Sequence, residues 1–378
     1  MSAREPRESL LSIGEQQDEN NRETGGRALE YLKEQRKNAG KLSAAFLLLI
    51  SCIFFAACRR EPDIQPADFS YDLLVYTVLE ENVSLPVVKE FEERTGLKVK
   101  VETGTTQALL KKLKIDGPEG SYDVVFGVGA DTLEAAGEYL QPYESVESLF
   151  LAGDFCRNDS RWTPFSVSPL VILYNTNVVT YREVPEGFKS LAEPKWKGRV
   201  AFVNPVLSGL YATALTEAVC ACREEEDYME RLAENLESGS LSSLSEVNSG
   251  ILDGRYSLGV TTEGAAYALR SQGADVDYIY PKEGTAVVLD GTAVVKGCVH
   301  REAAGQFLDF TVSKDTQRIL VSDLNRRSVR KDVQLPPGLP SMRSLAATDL
   351  KESELFREKE EVLKHWNTLF PGKRGDGG

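Results

Sequence analysis

The chain has 378 residues, 42% of them apolar and 27% charged, which is enough to bury a substantial core and long enough for more than one folding unit. Its formal charge of −14 and pI near 4.9, with no basic stripe, exclude a nucleic-acid partner, because such a field repels a phosphate backbone. The two histidines, His300 and His365, stand in no HExxH or zinc-type spacing, so each reads as a lone surface residue and no cofactor is expected.

Residues 1–57 read as a polar lead followed by an export signal. Arg36, Lys37 and Lys41 precede an uncharged apolar stretch from Leu42 to Ala57, which ends at Phe55-Ala56-Ala57-Cys58. The cysteine directly after two alanines resembles a bacterial lipobox, which makes Cys58 the expected lipidation site and mature N-terminus. The stretch is somewhat shorter than the ~20 residues that span a bilayer comfortably, so an uncleaved transmembrane anchor is the alternative, and both readings place the same domain outside the membrane. Residues 58–70, with Pro62 and Pro66, read as a tether, and the rest is expected outside the cytoplasmic membrane or in the periplasm. Four cysteines remain there: Cys156, Cys220, Cys222 and Cys298. Cys220 and Cys222 are too close for an easy mutual disulfide and read as small buried residues, with pairing to Cys156 or Cys298 left open.

The exported part opens with strand Leu73–Tyr76, helix Leu85–Thr95 stopped by Gly96, strand Val99–Val101, helix Thr105–Leu113 and strand Tyr122–Phe126. This β, α, β, α, β order predicts a parallel sheet with helices on its faces. A second α/β half follows: strands Leu170–Tyr174 and Val200–Val203, helix Tyr211–Cys222, strand Tyr256–Val260 and helix Gly264–Ser271. Extended segments Val276–Tyr280, Thr285–Leu289 and Thr292–Val295 then lead to an amphipathic helix, Glu302–Val312, and return the chain to the first half.

Several segments occur in the order typical of type II periplasmic solute-binding proteins: Leu74 to Glu80, Phe91 to Val99, Tyr122 to Phe126, Pro169 to Asn177, Glu193 to Arg199, Asp290 to Gly297, and Asn325 to Val333. The chain resembles the group with ferric-iron-binding, phosphonate-binding and sugar-phosphate-binding members. That resemblance implies an α/β fold of two lobes with a ligand cleft between them. Lobe 1 would comprise residues 71–167 and 285–330, lobe 2 residues 168–284, and residues 331–378 a C-terminal helical segment of unassigned lobe. It further implies a monomer that hands a small solute to an ABC permease and its ATPase, and that meets the membrane through its lipid anchor.

Open α/β sheets bind ligands at the carboxyl ends of their strands. The loops there carry Thr105 and Thr106, Gly129, Ser208 and Gly209, and Thr262 and Glu263, with Thr77, Tyr174 and Asp290 as further candidates. Hydroxyls and amides at helix starts favour an anion, so an oxyacid such as a phosphonate or sugar phosphate is the expected ligand. Asp131 fits a helix cap better, since its carboxylate would repel that anion. Ferric-binding members of the group use a pair of adjacent tyrosines where this chain has Glu263-Gly264-Ala265, with Tyr267 the nearest tyrosine. Ferric iron is therefore the alternative ligand, with Glu80, Glu263 and Asp290 available to a cation. An enzyme is not expected, because the chain has no GxSxG elbow, no HExxH and no GKS or GKT loop. A sensory binding module without transport is a further alternative.

Overall fold

The computed structural model describes residues 71–115, 122–156, 160–236, 240–346 and 351–370. The polar lead, the apolar stretch, Cys58 and the tether lie outside these residues. Among the described residues, no helix is long and apolar enough to cross a membrane.

The first half begins β1 (Leu73–Thr77), α1 (Glu81–Thr95), β2 (Val99–Thr103), α2 (Thr106–Ile115), β3 (Val124–Gly129) and α3 (Ala130–Ala135). Strand β1 pairs in parallel with both β2 and β3. Helix α1 starts four residues before the sequence pattern predicts. It buries Val83, Val87, Val88 and Phe91, and stops at Gly96, whose φ of 75° few side chains tolerate.

After β4 (Leu140–Gln141), the chain runs through β5 (Thr163–Asn175), α4 (Phe188–Leu191), β6 (Val200–Ala201), α5 (Gly209–Ala221), α6 (Tyr228–Asn235) and α7 (Leu244–Leu252). Then come β7 (Leu258–Thr262), α8 (Glu263–Ser271), β8 (Val276–Ile279), β9 (Val287–Val295), α9 (Arg301–Thr311), α10 (Lys314–Ser322), β10 (Arg327–Ser328) and α11 (Glu352–Leu369).

The sheet order is β2-β1-β3-β9-β5-β7-β6, with β4 on β9 and both β8 and β10 on β5. Strand β5 is buried along its whole length and serves both halves. From Thr163 to Pro169 it pairs antiparallel with β9, and from Leu170 to Tyr174 with β7. Pro169 has no N–H to donate and sits at this change of partner.

Each half has its own core. Around β1 and β3, Phe91, Phe126 and Phe307 meet edge to face, with centroids 5.0 Å apart for Phe91 and Phe307 and 5.3 Å for Phe126 and Phe307. Such pairs add about 0.5–1.5 kcal/mol beyond area burial. The second core gathers Leu170 to Leu173, Trp196, Phe202, Leu215, Tyr228 and Ile251, and takes in Val362 and Trp366 of α11. The C-terminal helix packs against α3 of the first half as well as α5 and α6 of the second, so it touches both halves.

His300 is more than a lone surface histidine: its ring Nδ1 lies 2.8 Å from Asp123 Oδ2, and its backbone N–H donates to Asp123 Oδ1 at 2.9 Å. Cys156, Cys220, Cys222 and Cys298 are free thiols. Burial pushes the Cys222 thiol up to about 12, so it is inert at neutral pH.

Candidate solute-binding cleft

A cavity of about 620 Å³ opens between the two halves. Its wall is built from helix beginnings: the first turns of α1, α2 and α3 on one side, and of α5, α7 and α8 on the other. The first amides of a helix have no intrahelical acceptor, and the summed peptide dipoles make that end positive.

Four of these turns are capped by a hydroxyl. Thr105 Oγ1 accepts from Ala108 N–H at 3.2 Å, Ser208 Oγ from Tyr211 at 3.5 Å, Ser243 Oγ from Glu246 at 3.2 Å and Thr262 Oγ1 from Ala265 at 3.3 Å. An accepting hydroxyl keeps its own O–H to donate. Capping and ligand binding are thus compatible at one residue. The lips nearly touch, since a Cβ built on Gly209 would stand 3.3 Å from Thr106 Oγ1.

The buried carboxylates of the wall are matched by cations. Arg327 Nε and Nη2 donate to the two oxygens of Glu263, each at 2.6 Å, and the Tyr280 hydroxyl donates to Glu263 as well. Both partners are essentially sealed from solvent, at 2% and 1% side-chain exposure. Arg327 Nη1 is sealed from solvent in the same corner. Arg326 Nη1 donates to Asp290 Oδ2 at 2.7 Å and to Ser166 Oγ at 3.1 Å. Burial pushes the Asp290 carboxyl up from the usual range, and the Arg326 guanidinium holds it partway back. Lys359 Nζ donates to Asp131 Oδ2 at 2.7 Å and to Thr213 Oγ1 at 2.9 Å.

Thr105, Thr106, Gly129, Ser208, Gly209, Thr262, Glu263 and Asp290 all line this cavity, as does Glu80. Two candidates lie elsewhere. Thr77 ends β1 fully buried, its hydroxyl donating to Phe126 O and accepting from Leu79 N–H. Tyr174 lies buried near the far end of β5, opposite Leu258 of β7 and Asp277 of β8. Asp131 is not a cap: α3 has no side-chain cap, and the carboxylate reaches Lys359 instead. Sequence reasoning missed Arg326, Arg327 and Lys359 as parts of the wall, because their partners are remote in the chain.

Within the place of the expected tyrosine pair, the Gly264 position is closed to any side chain. A Cβ on Gly264 would lie 1.7 Å from the carbonyl oxygen of Asn325. Tyr211 lines the cavity, yet its hydroxyl is spent on Val260 O at 2.7 Å and burial holds it far above the range in which a phenolate forms. Tyr267 is directed to Pro337 O at 3.4 Å. Among the described residues, no group of three or more His, Cys, Asp or Glu is placed to hold a metal ion.

Residues 121–348 match the family of bacterial extracellular solute-binding proteins. The chain belongs to that family. Among its relatives, iron uptake protein A1 of Synechocystis is 26% identical over 320 residues, which cover 79% of this chain and 88% of that protein. The ferric binding protein of Campylobacter jejuni superposes with a TM-score of 0.69 at 20% identity, over 79% of this chain and 99% of the other. The periplasmic binding protein AfuA of Actinobacillus pleuropneumoniae, solved with fructose-6-phosphate, gives 0.69 at 20% identity, over 79% and 98%. The fold is thus the two-lobed one of periplasmic binding proteins. As a solute-binding protein, the chain captures and transfers its ligand and is not an enzyme.

Proposed function

We propose that this chain is the lipid-anchored solute-binding component of an ABC importer and that its solute is an organic oxyanion, such as a phosphonate or sugar phosphate. The observation that carries the ligand class is the donor excess of the cleft. Helix beginnings and hydroxyls converge on it, while its buried acids are matched by Arg326, Arg327 and Lys359. A polyamine needs unpaired carboxylates; the buried ones, Glu263 and Asp290, are already engaged, which leaves it only Glu80 and Asp323 at the rim. An oxyanion needs N–H and O–H donors, and charge-assisted hydrogen bonds to it are roughly twice as strong as neutral ones. Lobe 1 in this reading is residues 71–167 and 285–330 and lobe 2 residues 168–284, with Pro169 and Leu170 at the crossing. The partners are the permease and its ATPase.

The test is a thermal-shift panel of phosphonates, sugar phosphates, carboxylates, polyamines, ferric chloride and ferric citrate. A ligand at 100 times its dissociation constant stabilises the fold by about 2.7 kcal/mol. Ser208→Ala and Thr262→Ala should each weaken the bound oxyanion by about tenfold or more, since a hydrogen bond to a charged group is worth about 1.5–3 kcal/mol. Each also removes a cap worth about 1 kcal/mol, so the quantity to compare is the ligand-induced shift. A response to polyamines alone would overturn the oxyanion reading.

Iron is the second reading, favoured by iron-uptake and ferric-binding relatives such as that of Synechocystis. With the lining tyrosine hydroxyl already committed, iron fits this wall as a chelate that brings its own oxygen ligands. A shift with ferric citrate, but with neither bare ferric chloride nor the iron-free oxyanions, would select it.

Anchoring rests on the basic flank, the apolar run and Ala56-Ala57-Cys58. Labelled palmitate should enter the wild type and not Cys58→Ser. Equal incorporation into both would rule out this anchor.

A further inference from the structure

We infer that Lys359 is a positioning residue for solute capture: carried by the C-terminal helix, it ties the two walls of the cleft together and sets how readily the empty protein closes. Its Nζ joins Asp131 in the first turn of α3 to Thr213 in the second turn of α5. Those two helices stand on opposite walls. The ion pair is largely withdrawn from water, with the lysine side chain 12% exposed and the aspartate 5%.

Helix α11 is rooted in the second wall. Val362 and Trp366 belong to the second core, Glu358 pairs with Arg223 at 2.9 Å, and His365 lies 3.1 Å from Glu230. Against the first wall it packs on α3, where Lys359 meets Asp131. When the walls part, α11 stays with the second one, and the Lys359–Asp131 link has to break. Both charges must then be resolvated or find new partners. The link therefore weights the empty protein toward the closed arrangement, whatever the solute. Apparent affinity scales with the fraction already competent to bind, so a tenfold fall in that fraction weakens every solute by about tenfold.

The test needs no ligand. Small-angle scattering of the ligand-free full chain should give a larger radius of gyration for Lys359→Met and for Asp131→Asn than for the wild type. The double variant should expand no further than either single one, because both break one link. Hydrogen exchange should quicken at the first turns of α3 and α5 while α11 keeps its protection, since its apolar anchors are untouched. Thr213→Val, which removes only the neutral arm, should show a smaller change of the same kind. Unchanged scattering and exchange in both charge variants would overturn the proposal. So would loss of protection throughout α11, which would make Lys359 a strut for its own helix.

Discussion

Arg327→Met should lower the thermal midpoint by roughly 10 °C, the largest stability loss expected from any single charge removal in the cleft. The substitution keeps an apolar stem of similar length and leaves Glu263 buried with no cation beside it. Removing one partner of a buried pair costs about 3–5 kcal/mol, because the other charge stays desolvated. At about 2–4 °C per kcal/mol for a domain of this size, the midpoint should fall accordingly. Arg327→Met/Glu263→Gln should recover most of the loss, since the stranded charge is then gone and Tyr280 keeps an acceptor. The measurement is differential scanning calorimetry of the three variants. A single-variant loss under about 1 kcal/mol would mean that the pair is solvated and behaves like a surface bridge.

That pair also shows what a sequence does and does not disclose. The central strand runs were legible because short apolar stretches such as Leu73–Tyr76 and Leu170–Tyr174 stand between turn residues, and period and length are local properties. Strands β4 and β10 and the Thr163–Pro169 part of β5 were not foreseen, and β9 was read as two segments. The helix starts at Thr105, Ser208 and Thr262 were legible for the same reason, since a hydroxyl before an apolar-periodic run is a local capping signal. The helices α4, α7 and α10 were missed; α4 spans only four residues and α7 begins within a serine-rich stretch, where the periodic signal is weak.

Side-chain partnerships are another matter. Arg327 finds Glu263 64 positions away, and Lys359 finds Asp131 228 positions away. A carboxylate in a first turn reads locally as a cap, so Asp131 was assigned to its own helix when its charge serves a distant one. Thr77 failed in the opposite sense. Its place at the end of β1 suggested a ligand group, but the adjoining strand supplies a carbonyl, Phe126 O, that takes its proton. The cleft was thus readable as a set of loops, and its charge matching only in three dimensions.

Gly264→Ala should both destabilise the fold and abolish solute capture, although a local argument predicts the reverse. In the first turn of a helix, replacing glycine with alanine ordinarily stabilises by up to about 1 kcal/mol. Here the new methyl would stand 1.7 Å from Asn325 O and 2.8 Å from Asn325 C, backbone atoms that no rotamer change can move aside. The segment it strikes has little room to yield. Asn325 already adopts a left-handed φ of 51°, and the next two residues are fixed by Arg326 on Asp290 and Arg327 on Glu263. Relief must come from shifting the start of α8, which carries Thr262, Glu263 and the free amides of the wall. Overpacking of this kind costs about 1–3 kcal/mol, so the midpoint should drop by several degrees. The solute-induced thermal shift should fall further, because the proposed oxyanion site includes the displaced turn. Denaturant unfolding and the thermal-shift panel, run on the same preparation, separate the two effects. A variant as stable as the wild type, or more so, would show that the Asn325 segment does not press on α8 in solution, and with it would go the argument that no tyrosine fits at this position.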